Sequence, residues 1–167
     1  ISPDEILNQL NIEMRKALKQ DMQNISMDGM DIALIVFNND TEIEYAGAHR
    51  PLWIVRKSSP AQDYELIETK SNKFSIGGYQ GDDGKTFTKH TVSLLKGDCI
   101  YMFTDGYADQ FGGPEEKKFM TKRLKNLLIS NYNNPVAVQE NTIRETIMKW
   151  KGSLEQVDDI LIIGIRI

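Results

Sequence analysis

The sequence has a single cysteine, Cys99, among its 167 residues, so no disulfide can form within the chain. Cys99 lies in the apolar run Cys99-Ile100-Tyr101-Met102-Phe103, which predicts a buried, inert thiol rather than a nucleophile. The composition suits a reducing compartment. No apolar stretch approaches the ~20 residues needed to span a bilayer, and no N-terminal stretch reads as a signal peptide. The expectation is a cytoplasmic segment without membrane contact, its parent free to be tethered through another region. Excess positive charge is also missing. The formal net charge is -4, with 20 Lys and Arg against 24 Asp and Glu. Nucleic acid is normally met by a basic stripe, so it is not expected as a partner. The densest basic cluster, Lys117 to Lys125, reads as a solvated helix face. There is no zinc spacing, no His pair and no phosphate-cradling glycine loop ahead of a helix. An initiating Met is absent too, and the opening Ile1-Ser2-Pro3 reads as the start of a piece excised from something longer.

What is present is an ordinary globular composition, 40% hydrophobic and 26% charged, long enough to bury a core. Ser2-Pro3-Asp4-Glu5 forms a capping box with Pro at the first helical position. Ile6, Leu7, Leu10, Met14, Ala17 and Leu18 then recur at helical spacing, which predicts a helix from Pro3 to Gln20. The apolar run from Met30 to Phe37 predicts a central strand covered on both faces. Glu42 to Ala48 is its hairpin partner, and further strands follow over Pro51–Arg56, Tyr64–Glu68 (near an edge), Phe87–Leu94 and Cys99–Thr104. Two helices come next, Lys117–Ser130 and one opened by Asn134-Pro135 with Asn134 as cap and ended by Gly152. A last strand, Ile160–Ile167, is expected to return to the centre of a sheet. Mostly antiparallel strands with segregated helices make an α+β layered domain.

Two places carry chemistry. Phe103-Thr104-Asp105-Gly106 stands at the exit of one buried strand, and Val157-Asp158-Asp159-Ile160 at the entry of another. A carboxylate at a strand end is held by the sheet yet meets solvent. Two such ends on one sheet edge offer hard oxygen ligands to a divalent cation. Gly106 lets the chain turn without crowding the site. Asp82 and Asp83, in a glycine-flanked loop, lack that support and read as solvated. His49 sits in a tight connection between strands with no Ser-His-Asp or Cys-His partners, and His90 reads as a surface residue.

Taken in order, several stretches resemble the SpoIIE/RsbU branch of the PPM/PP2C-type serine/threonine phosphatases. They are Ser2-Pro3 with Ile6-Leu7-Asn8-Gln9-Leu10-Asn11; Asp28-Gly29-Met30-Asp31-Ile32-Ala33; Glu44-Tyr45-Ala46-Gly47-Ala48-His49-Arg50-Pro51; Ile76-Gly77-Gly78; Lys96-Gly97-Asp98 leading to Phe103-Thr104-Asp105-Gly106-Tyr107; and Gln156-Val157-Asp158-Asp159-Ile160. The resemblance implies a PP2C-like layered β-sandwich with flanking helices, truncated at its N-terminus, with residues 1–167 a single partial domain. It implies a centre of two Mn²⁺ or Mg²⁺ ions that activate a water against a phosphoester, with no side-chain nucleophile. Asp105 and Asp158 match the family's metal-binding aspartates; Gly106 and Asp159 are their supporting neighbours.

The resemblance also implies a phosphorylated protein as substrate, often an anti-sigma-factor antagonist in bacterial signalling, and an N-terminal sensor elsewhere in the parent. The helix from Pro3 resembles the region through which such control acts. The family's first half carries a bridging Asp and a Gly-His-Gly-type turn that have no counterpart here. The chain alone is therefore expected to be inactive. The alternative is an inactive phosphatase-like module for binding or oligomerisation; a homodimer or strand exchange would cover sheet surface left open by the truncation.

Overall fold

In the computed structural model the described residues are 1–18, 28–58, 64–78 and 84–167. In chain order they form α1 (Pro3–Ala17), β1 (Gly29–Met30), β2 (Ile32–Asn39), β3 (Glu42–Ala48), β4 (Leu52–Lys57), β5 (Tyr64–Thr69), β6 (Ile76–Gly77), β7 (His90–Ser93) and β8 (Cys99–Phe103). They continue with α2 (Gly106–Asp109), β9 (Phe111–Gly112), β10 (Lys117–Lys118), α3 (Thr121–Ser130), α4 (Val136–Lys151) and β11 (Ile162–Arg166). These residues group into two compact units, Ile1–Leu52 with Glu68–Lys96, and Trp53–Ile67 with Gly97–Ile167.

The first unit holds the antiparallel sheet β2-β3-β7 and the small ribbon of β1 and β6. Helix α1 starts as its sequence dictates. The Glu5 carboxylate accepts the Ser2 N–H at 2.9 Å, and Pro3 occupies the first turn. Its apolar face buries Leu7 in a cluster with Ala46, Ala48, Ile76 and Phe87. Two asparagines clamp the helix to loops. Asn11 Oδ1 accepts the buried Gly77 N–H at 2.8 Å, and Asn8 Oδ1 accepts the Phe87 N–H at 2.9 Å. These are residues of the Asn8-to-Asn11 stretch, and their roles here are structural.

Two other stretches meet at Asp31, whose carboxylate takes Arg50 at 2.9 Å and also the Ser75 hydroxyl, just ahead of Ile76, at 2.6 Å. The Tyr45 hydroxyl donates to the Arg50 carbonyl across Gly47. A Cβ at Gly47 would stand 2.1 Å from that hydroxyl oxygen, so only glycine lets the bond form. Strand β2 departs from expectation. It lies at the edge of its sheet, not its centre, and is half-buried, with Phe37 47% exposed. An apolar run states that a strand forms but not how many neighbours it has.

In the second unit β8 is central. It pairs antiparallel with β11 on one side and β4 on the other, and β5 lies outside β4. Tyr64 to Thr69 is thus an edge strand, as its sequence suggested. Helices α3 and α4 cover the sheet through Leu124, Leu128 and Ile147, packed with Trp53, Tyr101, Tyr107 and Phe119. Cys99 is buried and free. Asp98 is 1% exposed and takes both Arg56 Nε (2.9 Å) and an Arg56 terminal nitrogen (2.6 Å), a bidentate pair that compensates its charge.

Three expectations are corrected here. Strand β11 is an edge strand, with Leu161 and Ile163 exposed near it, rather than a central one. Helix α3 begins at Thr121, because Lys117 and Lys118 pair with Phe111 and Gly112 in a ribbon and Met120 takes a left-handed φ of 78°. Pro135, not Asn134, stands at the N-cap position of α4, with no side-chain capping bond; Gly152 ends that helix with φ 57°. The Pro3 helix is described over Pro3–Ala17; Gln20, where its sequence placed the end, lies outside the described residues, as do Asp82 and Asp83.

Candidate functional site

The two acidic corners belong to the second unit and are brought together by strand pairing. Ile162 pairs with Phe103, so the exit of β8 and the entry of β11 fall at the same end of the sheet. Thr104 fastens them. Its N–H donates to the Leu161 carbonyl at 3.0 Å, its hydroxyl donates to the Asp159 carbonyl at 2.7 Å, and the same hydroxyl accepts the Leu161 N–H at 3.0 Å. Gly106 completes the junction. A Cβ on it would lie 2.4 Å from the Asp159 carbonyl oxygen and 3.3 Å from the Asp158 carbonyl carbon. The absence of that atom lets the Asp158-Asp159 backbone lie against the turn after Asp105.

Beyond Asp105 the chain enters the single turn of α2. Tyr107 there is buried, and its hydroxyl donates to the Ile143 carbonyl at 2.8 Å, which ties the turn to α4. Burial pushes that hydroxyl above its ordinary range, so it stays a neutral donor. Asp105 is half-buried, whereas Asp158 and Asp159 are exposed. Asp158 Oδ1 accepts the Asp159 N–H at 2.7 Å, and the Gln156 side chain donates to the Asp158 carbonyl at 2.8 Å. Both corners are therefore shaped by their own backbones before any ligand arrives.

Asp105 and Asp158 supply hard oxygen donors of the kind that suits Mn²⁺ or Mg²⁺, on a sheet edge held by Thr104 and Gly106. They do not make a full ligand set. Among the described residues no three His, Cys, Asp or Glu side chains stand together where they could hold a metal ion. By donor count these two carboxylates fall short of a two-ion centre.

Thr104 is the participant that sequence reasoning passed over. It entered only as part of a Thr-Asp-Gly turn, and its signal is a hydroxyl at a strand end beside an acidic pair. The histidines stay apart from these corners. His49 is exposed with a left-handed φ of 54°, its N–H bound to the Asn72 carbonyl. His90 is half-buried rather than on the surface, its ring 5.9 Å from that of Tyr45. The basic cluster is spread over separate contacts. Lys117 pairs with Glu115, Lys118 with Asp109, Arg123 lies over Trp150 and Lys125 over Trp53.

The sequence profile of the Stage II sporulation protein E (SpoIIE) family matches residues 1–167. The chain belongs to the SpoIIE family. Among solved structures it is similar to the SiaA-PP2C domain of Pseudomonas aeruginosa, with 27% identity and a TM-score of 0.82 over 99% of this chain and 61% of that one. It thus spans about three-fifths of the SiaA domain's length. It is also similar to the phosphatase domain of the cell fate determinant SpoIIE from Bacillus subtilis (14% identity, TM-score 0.58, 98% of this chain and 70% of that one). A third similarity is to PppA, a regulatory component of T6SS in Pseudomonas aeruginosa (15% identity, TM-score 0.57, 96% and 66%). The last two show the fold alone. Comparison with curated protein sequences returns no match. The α+β architecture of this SpoIIE-family chain is that of PP2C phosphatase domains. No helix among the described residues is long and apolar enough to cross a membrane.

Proposed function

We propose that the chain is part of a metal-dependent phosphatase domain of a bacterial signalling protein, acting on phosphoserine or phosphothreonine of a partner protein. The observation that carries this reading is the junction of the two acidic corners. Thr104 and Gly106 hold the Asp158-Asp159 backbone against the turn after Asp105. Membership of the SpoIIE family supports the reaction class. Bound Mn²⁺ or Mg²⁺ ions would supply an activated water and neutralise charge on the transferring phosphoryl group. The chain's own part is to hold two carboxylates, Asp105 and Asp158, rigidly at one sheet edge, with Asp159 and Gly106 shaping the backbone between them. No side chain acts as nucleophile in this reading.

Two carboxylates leave most of the charge of a pair of divalent ions uncompensated, at a cost of several kcal/mol at short range (~4 Å). The 167-residue chain by itself is therefore proposed to be inactive. The test measures Mn²⁺-dependent hydrolysis of p-nitrophenyl phosphate by two proteins. One is this chain; the other is a longer piece carrying about 60 to 80 further upstream residues, the addition expected if a typical domain size is restored. Activity in the longer piece alone, abolished by Asp105→Asn or Asp158→Asn, is the expected result. Mn²⁺-dependent activity in the short chain would overturn the inactivity. A longer piece that neither turns over nor binds Mn²⁺ would instead favour a binding or oligomerisation module, which the exposed apolar side chains at Leu161 and Ile163 also suit.

A further inference from the structure

Five residues after Asp105, and three before Asp158 through a through-space bond, the same loop is fastened a second time. Gln110 follows α2 and is 0% exposed. Its Nε2 donates to the Glu155 carbonyl at 2.8 Å and to the Phe111 carbonyl at 3.0 Å. Its own carbonyl accepts the Phe119 N–H at 2.9 Å and the Trp150 indole N–H at 3.1 Å. Trp150 in turn receives the Gly113 N–H on its carbonyl at 2.8 Å, and a Cβ on Gly112 would stand 1.9 Å from that same oxygen. Gln110 is thus fixed from three sides before it reaches Glu155. Buried carboxamides cost free energy unless bonded; this one spends both donor protons on backbone carbonyls, while its buried Oε1 accepts no hydrogen bond among the described residues.

The consequence is a closed circuit. From Asp105 the chain runs through α2 to Gln110, crosses by hydrogen bond to Glu155, continues to Asp158 and Asp159, and returns by hydrogen bond to Thr104. Asp158 lies between the two anchors. One anchor alone would leave an exposed loop free to pivot about it; two define where the carboxylate stands relative to Asp105. We infer that Gln110 is a positioning residue for Asp158, holding segment 155–159 in register with the Asp105 turn. This rests on the reading of Asp105 and Asp158 as cation ligands, and it deepens that reading by naming the residue that sets their spacing.

The test is amide hydrogen exchange of the 167-residue chain by NMR, without metal, in wild type and in Gln110→Met, which keeps volume and removes both donors. The expected result is a loss of protection of about tenfold or more at Asp159 and Leu161, with α3 and the β4–β8 pairing unchanged. Lys118→Met, which breaks only the Lys118–Asp109 pair, leaves that protection as in wild type. Unchanged protection at Asp159 in Gln110→Met would overturn the proposal. So would an even loss across the whole unit, which marks a packing residue instead. The wild type gives a check that needs no variant. The Gln110 carboxamide protons exchange slowly if both bonds hold, and exchange at the rate of a free amide sinks the idea. Added Mn²⁺ examines the underlying reading separately, in the longer piece with the upstream residues. Broadening at Asp105 and Asp158 there that weakens in Gln110→Met supports it. Without broadening in the longer wild-type piece the cation role fails, while the exchange pattern of this chain still decides whether Gln110 holds the loop.

Discussion

Replacing Gly106 by alanine adds one methyl group at the point where the two acidic corners touch. The new Cβ would lie 2.4 Å from the Asp159 carbonyl oxygen, 3.0 Å from its carbonyl carbon and 3.3 Å from that of Asp158. All three neighbours are backbone, so no rotamer change relieves the clash, and the 155–159 loop or α2 has to move. Overpacking of this kind costs typically ~1–3 kcal/mol. Against it stands the ordinary gain of alanine over glycine in a helix, roughly 0.5–1 kcal/mol, an upper bound at the first position of a one-turn helix. The expected net loss is about 1–2 kcal/mol, a fall in Tm of about 4 °C for a chain of this size. Thermal denaturation followed by circular dichroism reads it. Gly84→Ala is the control, because its Cβ would meet nothing within 4 Å and leaves Tm unchanged. A Gly106→Ala protein as stable as wild type, with Asp159 still bonded to Thr104, would refute the reasoning that glycine is required for the junction.

Other perturbations follow from the same structure. Arg56→Leu leaves the Asp98 carboxylate buried without its bidentate partner, and a loss of about 3–5 kcal/mol is expected in urea titrations. Asn11→Ala orphans the buried Gly77 N–H and is expected to cost about 1–3 kcal/mol by the same measurement, whereas Gln9→Ala on the exposed face costs little. The Ser2 N–H holds the Glu5 carboxyl below its usual 4.5. The capping contribution is therefore full above that value and lost as pH falls through the lowered folded value, so Glu5→Gln flattens this part of the acid limb of a stability–pH curve.

The sequence declared most elements by local chemistry. Ser2-Pro3-Asp4-Glu5 set the start of α1 because capping needs only neighbouring residues. Glu42 to Ala48 alternated and became β3 over the same span. The misplacements have a common cause. Lys117 to Met120 carries helical spacing in Phe119, yet the ribbon with Phe111 and Gly112 takes two of those residues, since a partner distant in sequence outbids a helix end. The edge positions of β2 and β11 were not legible either. A run such as Ile32-Ala33-Leu34-Ile35 reports apolar surface to bury, and the number of strands available to bury it is a property of the assembled sheet.

Asp105 and Asp158 stood out from the sequence because each is a carboxylate beside a strongly apolar run, and that needs only local pattern. That their corners touch did not follow from pattern. It depends on Ile162 pairing with Phe103 across 59 positions (162 − 103), on Thr104 bonding to Asp159 and Leu161, and on Gly106 leaving room for the Asp159 carbonyl. Gln110 shows the division most plainly. As a residue type it promises only an amide in need of partners; where it finds them, at Phe111 and Glu155, is decided by the packing of segments far apart in the chain. Local chemistry chose the groups, and long-range pairing placed them, because hydrogen bonds and close contacts between distant residues exist only once the chain has folded.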